Sequence, residues 1–362
     1  MRLHLVAPSS EDSAPPDLVG ISVSSKSAFR AYRLADAYRR RGSLVVLGGV
    51  HATAMPEEAS AHADSVVLGE AEWIWRDVVC DARERRLRAT YRHTTWPSLA
   101  GAPLPRRDIF ASRSYVPFDV VQTTRGCPYP CEFCSVSTYN GPTFRIRPVP
   151  EVLGELERVG PRVLFADDNV MLHPRHGSEL LQAMPGLRKQ WVGQCSMATL
   201  HRAGIARQLA RSGCKALFVG FESVDWATTQ GAGKRQNQPR CYEQIVRELA
   251  DHGIGVWGSF VFGFDHDEPE SFERTLNFCV SAKLTMALFA ILTPYPGTRL
   301  YQRLQAEGRL TMPRWWLGAE HDRDAPFFEP ARMTRAQLRA GWVGAWLQMY
   351  SVRSMAKRFD PG

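Results

Sequence analysis

Three cysteines stand inside eight residues of the chain, at Cys127, Cys131 and Cys134. Spacings of four and three residues let one short loop present three thiolates to one metal centre. Thiolates suit zinc, which needs a fourth ligand, or an iron–sulfur cluster. The nearest other candidates, His93 and His173, are more than thirty residues away on either side. The loop therefore predicts a [4Fe–4S] cluster ligated at three corners.

A cluster with three protein ligands leaves one iron open. Simple electron carriers protect the cluster with four cysteines, so an open iron indicates that a substrate binds metal. S-adenosylmethionine (SAM) can chelate such an iron through its amino and carboxylate groups, which places its sulfonium beside the cluster. One-electron cleavage then gives methionine and a 5′-deoxyadenosyl radical, which abstracts hydrogen from unactivated carbon. The loop thus predicts an enzyme of radical chemistry.

The elements that would position this loop alternate between apolar strands and amphipathic helices, which predicts an α/β protein with parallel sheets. The first part reads as a small doubly wound domain and the second as a partial (β/α)6 barrel, whose strand ends carry the chemistry. The predicted strands are Leu3–Ala7, Leu18–Ser22, Leu44–Leu47, Ser65–Leu68, Val120–Thr123, Val163–Ala166, Trp191–Cys195, Ala216–Phe221, Val256–Phe262 and Leu288–Leu292. The predicted helices are Ser27–Arg41, Glu70–Arg86, Pro150–Arg158, Ser178–Met184, Ile205–Arg211 and Arg240–His252.

Composition shifts along the chain predict four regions: a front domain at 1–93, a linker at 94–116, the barrel at 117–305 and a helical extension at 306–362. The extension begins a helix at Thr334 as N-cap. Its tryptophans admit two interpretations, a cap over the barrel mouth or ordinary core packing. These tryptophans are Trp315, Trp316, Trp342 and Trp346.

Charge and composition indicate which partners and which cellular compartment to expect. The formal charge is +8, and the arginines form no dense run, so we expect no nucleic-acid partner. No run of about 18 apolar residues occurs, so we expect no membrane partner. Absence of a signal peptide makes the cytoplasm the expected location. Five further cysteines are read as buried small hydrophobes rather than disulfides: Cys80, Cys195, Cys214, Cys241 and Cys279.

The cysteine loop Gly126–Cys134 and the motifs at later strand ends resemble the radical SAM superfamily, over about residues 117–300. The resemblance implies that Phe133 packs on the SAM adenine and that Asp167-Asp168-Asn169 holds the SAM amino group. It implies contacts to the rest of SAM from Glu222 and Ser223, from Gly258 and Gly263 in the fifth-strand motif, and from Thr293 and Pro294 in the sixth-strand turn. Taken singly, the acidic residues are equally well read as helix caps or ion-pair partners.

The front segment resembles the subgroup that carries a cobalamin (B12)-binding domain ahead of the barrel. The resemblance rests on Pro16–Ser22, Leu47–Thr53, Met55–Glu58 and Gly69–Glu72. Between Ala7 and Pro16 the chain has eight residues where the family has two helices and a strand, so the domain is shortened and its binding of cobalamin is an open question. His51 belongs to the motif and is read as a capping or packing residue rather than a cobalt ligand. The cobalamin contacts implied by the resemblance are Ser22, Ser24, Gly48, Gly49, His51, Thr53, Gly69 and Glu70.

The resemblance implies a small-molecule substrate and a reductase, or a flavodoxin- or ferredoxin-type protein, as electron donor. Three functions stay open. One is cobalamin-dependent methylation of an unactivated carbon, and another is radical oxidation, cyclisation or rearrangement without cobalamin. The third is a non-catalytic partner that keeps the fold, against which the three intact thiols of the loop argue.

Overall fold

The computed structural model describes residues 14–110, 118–141, 143–318 and 325–359. The predicted strand Leu3–Ala7 lies outside these ranges. The chain divides into two compact units, and the predicted limits at 93, 116 and 305 stay predictions. The first unit comprises Met1–Pro97, Phe133–Gly141 and Pro294–Phe327, and the second comprises Ser98–Glu132, Pro142–Thr293 and Phe328–Gly362.

Strands and helices alternate through both units, as the hydrophobic pattern predicts. The strands are β1 (Leu18–Ser22), β2 (Leu44–Gly48), β3 (Ser65–Leu68), β4 (Thr90–Arg92), β5 (Asp119–Val121), β6 (Thr124–Gly126), β7 (Phe144–Ile146), β8 (Arg162–Phe165), β9 (Gln190–Cys195), β10 (Cys214–Glu222), β11 (Gly255–Phe262) and β12 (Met286–Ile291). The helices are α1 (Ala28–Arg40), α2 (Gly49–Ala54), α3 (Pro56–Ala61), α4 (Trp75–Arg83), α5 (Val136–Asn140), α6 (Val149–Glu157), α7 (Pro174–Ala183), α8 (Met197–Leu200), α9 (Ile205–Arg211), α10 (Trp226–Gly231), α11 (Tyr242–Asp251), α12 (Glu270–Ser281), α13 (Arg299–Ala306), α14 (Arg335–Met349) and α15 (Val352–Phe359).

The first unit is built on a parallel sheet of order β1-β2-β3-β4. Its central strands are apolar on both faces because helices cover both, as doubly wound sheets require. Val45 and Leu47 of β2 are fully buried, and Tyr32 of α1 packs in the same cluster. The shortened doubly wound domain is thus confirmed as an α/β unit.

The second unit is built on six parallel strands in the order β12-β11-β10-β9-β8-β5. β5 and β12 are the two edges, so the sheet is a barrel that does not close, as predicted. The carboxyl ends of parallel strands lie at one edge of a sheet. Side chains that follow β5, β8, β10, β11 and β12 therefore meet at that edge.

The helical extension covers the free edge of β12. α14 begins at the predicted N-cap, where the Thr334 side chain accepts the Gln337 N–H. Trp342 and Trp346 both donate their indole N–H to the Phe289 carbonyl of β12, at 2.9 and 3.2 Å. Trp315 and Trp316 are buried in the first unit. The structure therefore gives all four tryptophans a packing role. No helix in the described part of the chain is long and apolar enough to cross a membrane.

Candidate active site

The cysteine segment lies between the two arms of a short hairpin at the end of β5. β6 pairs antiparallel with β7, and Cys127 follows β6 directly. The loop is fastened to the segment after α10, where the Glu132 N–H donates to the Ala232 carbonyl at 3.3 Å. Gly233 has a φ of +75° and no room for a side chain, because a Cβ would lie 3.0 Å from the Pro130 carbonyl oxygen. The fold thus holds the loop on two sides.

Three half-buried cysteines that form no disulfide lie in this loop, Cys127, Cys131 and Cys134. Burial raises the pKa of Cys127 and raises that of Cys131 to about 11. The Lys234 ammonium acts in the opposite direction on both thiols. Because iron binds the thiolate, loading releases protons. A set of soft sulfur donors in a partly buried loop fits an iron–sulfur cluster.

A single metal ion has no ready site in the described residues, since no three His, Cys, Asp or Glu side chains converge closely enough. A cubane places its three thiolates on three separate irons, so its ligands stand further apart than those of one ion. The donor set therefore fits the cluster.

Asp167 is a structural anchor in this conformation. Its Oδ1 accepts the backbone N–H and the hydroxyl of Thr123, both at 2.9 Å. The same oxygen accepts the Thr124 hydroxyl at 2.6 Å and the Thr124 backbone N–H. These bonds tie the end of β8 to the segment that leads into the cysteines. Burial raises the pKa of Asp167 to about 6. Its Oδ2 is buried without a hydrogen-bond partner, so one oxygen is left for a ligand.

Asp168 and Asn169 lie closer to the thiols. Asp168 accepts the Gly126 N–H at 3.0 Å, which fixes the residue before Cys127. Asn169 hydrogen-bonds the Cys127 thiol with its side chain and accepts the Ser196 N–H at 3.0 Å. All three residues of the acidic motif thus contact the cysteine loop or the segment that leads into it, and their contact with SAM stays a prediction.

Glu222 ends β10 in a strained left-handed conformation, with a φ of 63°. Its carboxylate is ion-paired with Lys234, and both side chains are about nine-tenths buried. Gly220 is needed beneath this pair because a Cβ would lie 2.6 Å from Lys234 Nζ. Ser223 accepts the Asp225 N–H at 3.1 Å. Strain of this kind is concentrated at functional sites.

The two glycines of the fifth-strand motif have different roles. Gly258 lies in the middle of β11, where a Cβ would lie 2.9 Å from Leu284 and 3.0 Å from Phe260. Packing accounts for this glycine. Gly263 follows the strand with a φ of +109°, and its N–H donates to Asp267 Oδ2 at 2.9 Å. Asp267 therefore holds the turn at the ligand edge.

Asp267 gives a pH-dependent prediction. Burial raises its pKa from 3.8 to about 6, so the folded state binds the proton more tightly than the unfolded state does. Its contribution to the free energy of unfolding is fully present below about pH 4 and is lost as the pH rises through 6, by about 3 kcal/mol at most. Asp267→Asn keeps an acceptor for the Gly263 N–H. The variant should gain stability over the wild type between pH 4 and 7 in urea titrations, and a constant difference would contradict the prediction.

The remaining predicted SAM contacts are spread along the chain. Thr293 follows β12 and donates its hydroxyl to the Ile291 carbonyl at 3.0 Å. Pro294 begins a segment of the first unit and accepts the Trp315 indole N–H at 2.9 Å. Phe133 and Cys134 also belong to the first unit by their contacts, and Phe133 is half-buried.

His51 is a packing residue, as its motif predicts. It is fully buried, and both ring nitrogens are engaged, Nδ1 with Ser25 Oγ at 3.1 Å and Nε2 with Glu58 Oε1 at 3.2 Å. Glu58 also accepts from the Tyr32 hydroxyl at 3.0 Å and the Trp316 indole at 2.9 Å. Both ring nitrogens are therefore occupied, and no ligand need be invoked for this histidine.

A cavity of about 320 Å³ opens at the carboxyl ends of β3 and β4 and is lined by three predicted cobalamin contacts, Thr53, Gly69 and Glu70. Arg92, His93 and Trp96 complete much of its wall. A second cavity of about 250 Å³ is lined by Ser24. Ser22 and Gly48 end β1 and β2, while Gly49 lets α2 approach β1, since a Cβ would lie 2.8 Å from Ser22 Oγ. The sheet thus offers a cleft where doubly wound folds bind ligands.

Several site residues carry no signal in the sequence. Lys234 lies in an ordinary polar loop, and only its pairing with Glu222 reveals it. Thr123 was predicted as the last residue of a strand and Thr124 lies just after it, and nothing in either position predicts the bonds to Asp167. Two of the five scattered cysteines were wrongly expected to be buried, because Cys80 is exposed and Cys241 is half-buried.

Comparison with known proteins agrees with these two units. Residues 121–279 match the radical SAM superfamily model, and residues 9–79 match the B12 binding domain model. Residues 298–361 match a domain of unknown function. The solved structure of the radical SAM methyltransferase TsrM from Kitasatospora setae, with cobalamin and a [4Fe–4S] cluster bound, superposes with a TM-score of 0.69. That match has 18% identity and covers 96% of this chain and 79% of TsrM, so it supports the fold.

Two curated relatives that match most of this chain are methyltransferases. The bacteriochlorophyllide d C-12(1)-methyltransferase of Chlorobaculum tepidum is 30% identical over 361 residues, covering 97% of this chain and 78% of the relative. The C-8(2)-methyltransferase of the same organism is 29% identical, covering 83% and 70%. The cysteine loop, the open parallel barrel and the front sheet all agree with these matches. The chain therefore belongs to the radical SAM superfamily, in the subgroup with a B12-binding domain, and is an enzyme that uses a [4Fe–4S] cluster and SAM.

Proposed function

We propose that the protein is a cobalamin-dependent C-methyltransferase that acts on a small molecule. The observation that carries the proposal is the cavity at the carboxyl edge of the front sheet, lined by Thr53, Gly69 and Glu70. Thr53 lies in α2, whereas Gly69 and Glu70 follow β3. The resemblance to the cobalamin-binding subgroup implies cobalamin contacts from both segments. The names of the relatives, two bacteriochlorophyllide methyltransferases, favour methylation over other radical reactions.

The residues have separable tasks in this proposal. The cluster, when bound, supplies the electron that cleaves SAM, and cobalamin, when bound, carries the methyl group. Cys127, Cys131 and Cys134 hold the cluster. Asp168 and Asn169 fix the loop around Cys127. Glu222, with its carboxylate oriented by Lys234, faces the ligand edge as a SAM contact.

The electron donor and the compartment follow from the same chemistry. We propose a flavodoxin- or ferredoxin-type protein, or a reductase, as donor, because the reaction consumes single electrons. We place the enzyme in the cytoplasm because none of its eight cysteines forms a disulfide, which suits a reducing compartment.

The test is metal content after anaerobic cluster reconstitution, incubation with hydroxocobalamin and desalting. We expect about one cobalt per four irons, and S-adenosylhomocysteine beside 5′-deoxyadenosine among the products of SAM. Thr94→Trp, on the exposed rim of the cavity, should lower bound cobalt at least fivefold and leave iron unchanged. Thr90→Trp, exposed at the start of β4 and outside the cavity lining, is the matched control.

Iron without cobalt in the wild type would remove the methyl carrier. The radical SAM assignment would stand, and oxidation, cyclisation or rearrangement would become the reaction to seek. Cobalt that is retained equally by Thr94→Trp and Thr90→Trp would move the corrinoid site away from this cavity.

A further inference from the structure

The final helix of the structure, α15, exposes apolar side chains and buries polar ones. On α15 the exposed residues Val352, Met355 and Phe359 recur at helical spacing, with 80%, 38% and 60% of their surface accessible. The opposite face buries Ser354 and Arg358, at 7% and 4%. A helix that only completes a soluble core would bury its apolar stripe instead. The exposed stripe of α15 therefore calls for a partner.

Arg358 fixes this orientation. Its guanidinium donates to the carbonyls of Leu284 at 2.8 Å and Thr285 at 3.1 Å, before the start of β12, and to Met349 at 3.0 Å at the end of α14. It also lies over the Tyr350 ring at 5.8 Å. Bonds from a buried charged donor are strong and costly to break. The apolar stripe is thus held outward by a specific buried contact.

The preceding helix continues the pattern. Val343 and Leu347 of α14 are 41% and 70% exposed and four residues apart, so they share one face. Ala336 and Ala340 extend that face and are also exposed. Trp342 and Trp346 occupy the inner side against β12. Two consecutive helices, both packed on α12, thus expose large apolar side chains.

The two helices α14 and α15 contain basic residues and no acidic one. Between residues 330 and 359 the sequence has six basic residues and no Asp or Glu: Arg332, Arg335, Arg339, Arg353, Lys357 and Arg358. Arg353 and Lys357 are exposed on α15, beside its apolar stripe. Exposed apolar residues flanked by basic ones are typical of helices that lie in the interface of an anionic bilayer.

Two other partners, a second copy of the chain and an electron-donor protein, fit the exposed faces of α14 and α15 less well. A second copy would bring the same basic residues against each other in a two-fold contact. An electron donor must approach the cluster, but Arg358 fastens α15 near the start of β12, while the cysteine loop follows the carboxyl end of β5 at the opposite edge of the sheet. The two places therefore lie at opposite ends of the parallel strands and five strands apart along the sheet.

We propose that the exposed apolar faces of α14 and α15 bind the surface of an anionic lipid bilayer. Phe359, Val352 and Leu347 enter the interface, and Arg353 and Lys357 contact lipid phosphates. The expectation of no membrane partner rested on the lack of a spanning segment, which does not bear on helices that lie on a surface. The inference concerns a different face from the cobalamin cavity and does not depend on methylation.

The test is flotation of the reconstituted full chain with vesicles of phosphatidylcholine containing 30% phosphatidylglycerol, against pure phosphatidylcholine. We expect binding to the anionic vesicles that weakens with salt. Val352→Ser/Phe359→Ser should weaken it at least tenfold. Arg353→Gln/Lys357→Gln should weaken it about fivefold for each charge removed. SAM cleavage without vesicles should be unchanged in both variants, which shows that they fold.

Matched controls lie on other faces of the second unit. Trp226→Ser removes a side chain that is 54% exposed on α10, and Arg207→Gln/Arg211→Gln removes two exposed charges on α9; neither should change vesicle binding. Equal binding by all variants, or none by the wild type, would overturn the proposal. So would a concentration-dependent dimer in sedimentation velocity that Val352→Ser/Phe359→Ser abolishes while vesicle binding is absent, since a second copy would then cover the face.

Discussion

Replacing any one of Cys127, Cys131 and Cys134 with alanine is expected to abolish SAM cleavage and remove most of the cluster iron. Each thiolate holds a different iron of a cubane whose fourth iron has no protein ligand, so the loss of one leaves two corners unprotected. Anaerobic reconstitution should load about four irons per wild-type chain. Iron content and 5′-deoxyadenosine formation after reduction are the two measurements.

Two cysteines outside the loop are matched controls, because Cys80 is exposed and Cys241 is half-buried. Cys80→Ala and Cys241→Ala should keep full iron and full cleavage. If any single loop variant cleaved SAM at the wild-type rate, the assignment of the cluster to these three ligands would be wrong.

Lys234→Met is expected to lower the stability of the barrel unit strongly. The substitution leaves the Glu222 carboxylate about nine-tenths buried without its cation, and breaking a buried pair costs about 3–5 kcal/mol. Such a loss lowers the midpoint of thermal unfolding by about 6–12 °C for a unit of this size. Differential scanning calorimetry of the reconstituted protein measures the shift.

The double variant Glu222→Gln/Lys234→Met removes both charges and should recover at least half of the lost stability. Lys215→Met, exposed at the start of β10, is the control for losing a lysine and should change little. A double variant less stable than Lys234→Met would show that the pair is not the source of the effect.

The parts of the fold that the sequence predicts well are those with continuous apolar runs. β1 and α9 have the predicted limits, and the six barrel strands lie where predicted to within a few residues. β4 was missed because Tyr91 is the single apolar residue of Thr90–Arg92. The β6–β7 hairpin was missed because arms of only three residues are too short to show a period. The helix expected at Glu70–Arg86 begins at Trp75, because the turn at Gly69, with a φ of +75°, delays it.

At the site, the residue types and spacing located the right strand ends but not the bonds made there. The position of Asp167 was predictable, yet its partners Thr123 and Thr124 lie more than forty residues earlier, and nothing local to either segment encodes that contact. Lys234 is a similar case, because its role depends on the left-handed backbone at Glu222. Sequence patterns report which face is buried, whereas these contacts depend on tertiary geometry.

The bonds from α14 to β12 affect the solubility of the barrel. An open sheet presents an edge strand whose unpaired backbone can recruit a strand from another molecule. Here the Phe289 carbonyl accepts two indole N–H groups, and the Tyr350 hydroxyl donates to the Ala287 carbonyl at 2.8 Å. Side chains, rather than a further strand, occupy these positions. The β12 edge can therefore stay without a further strand and still not offer these groups to another molecule.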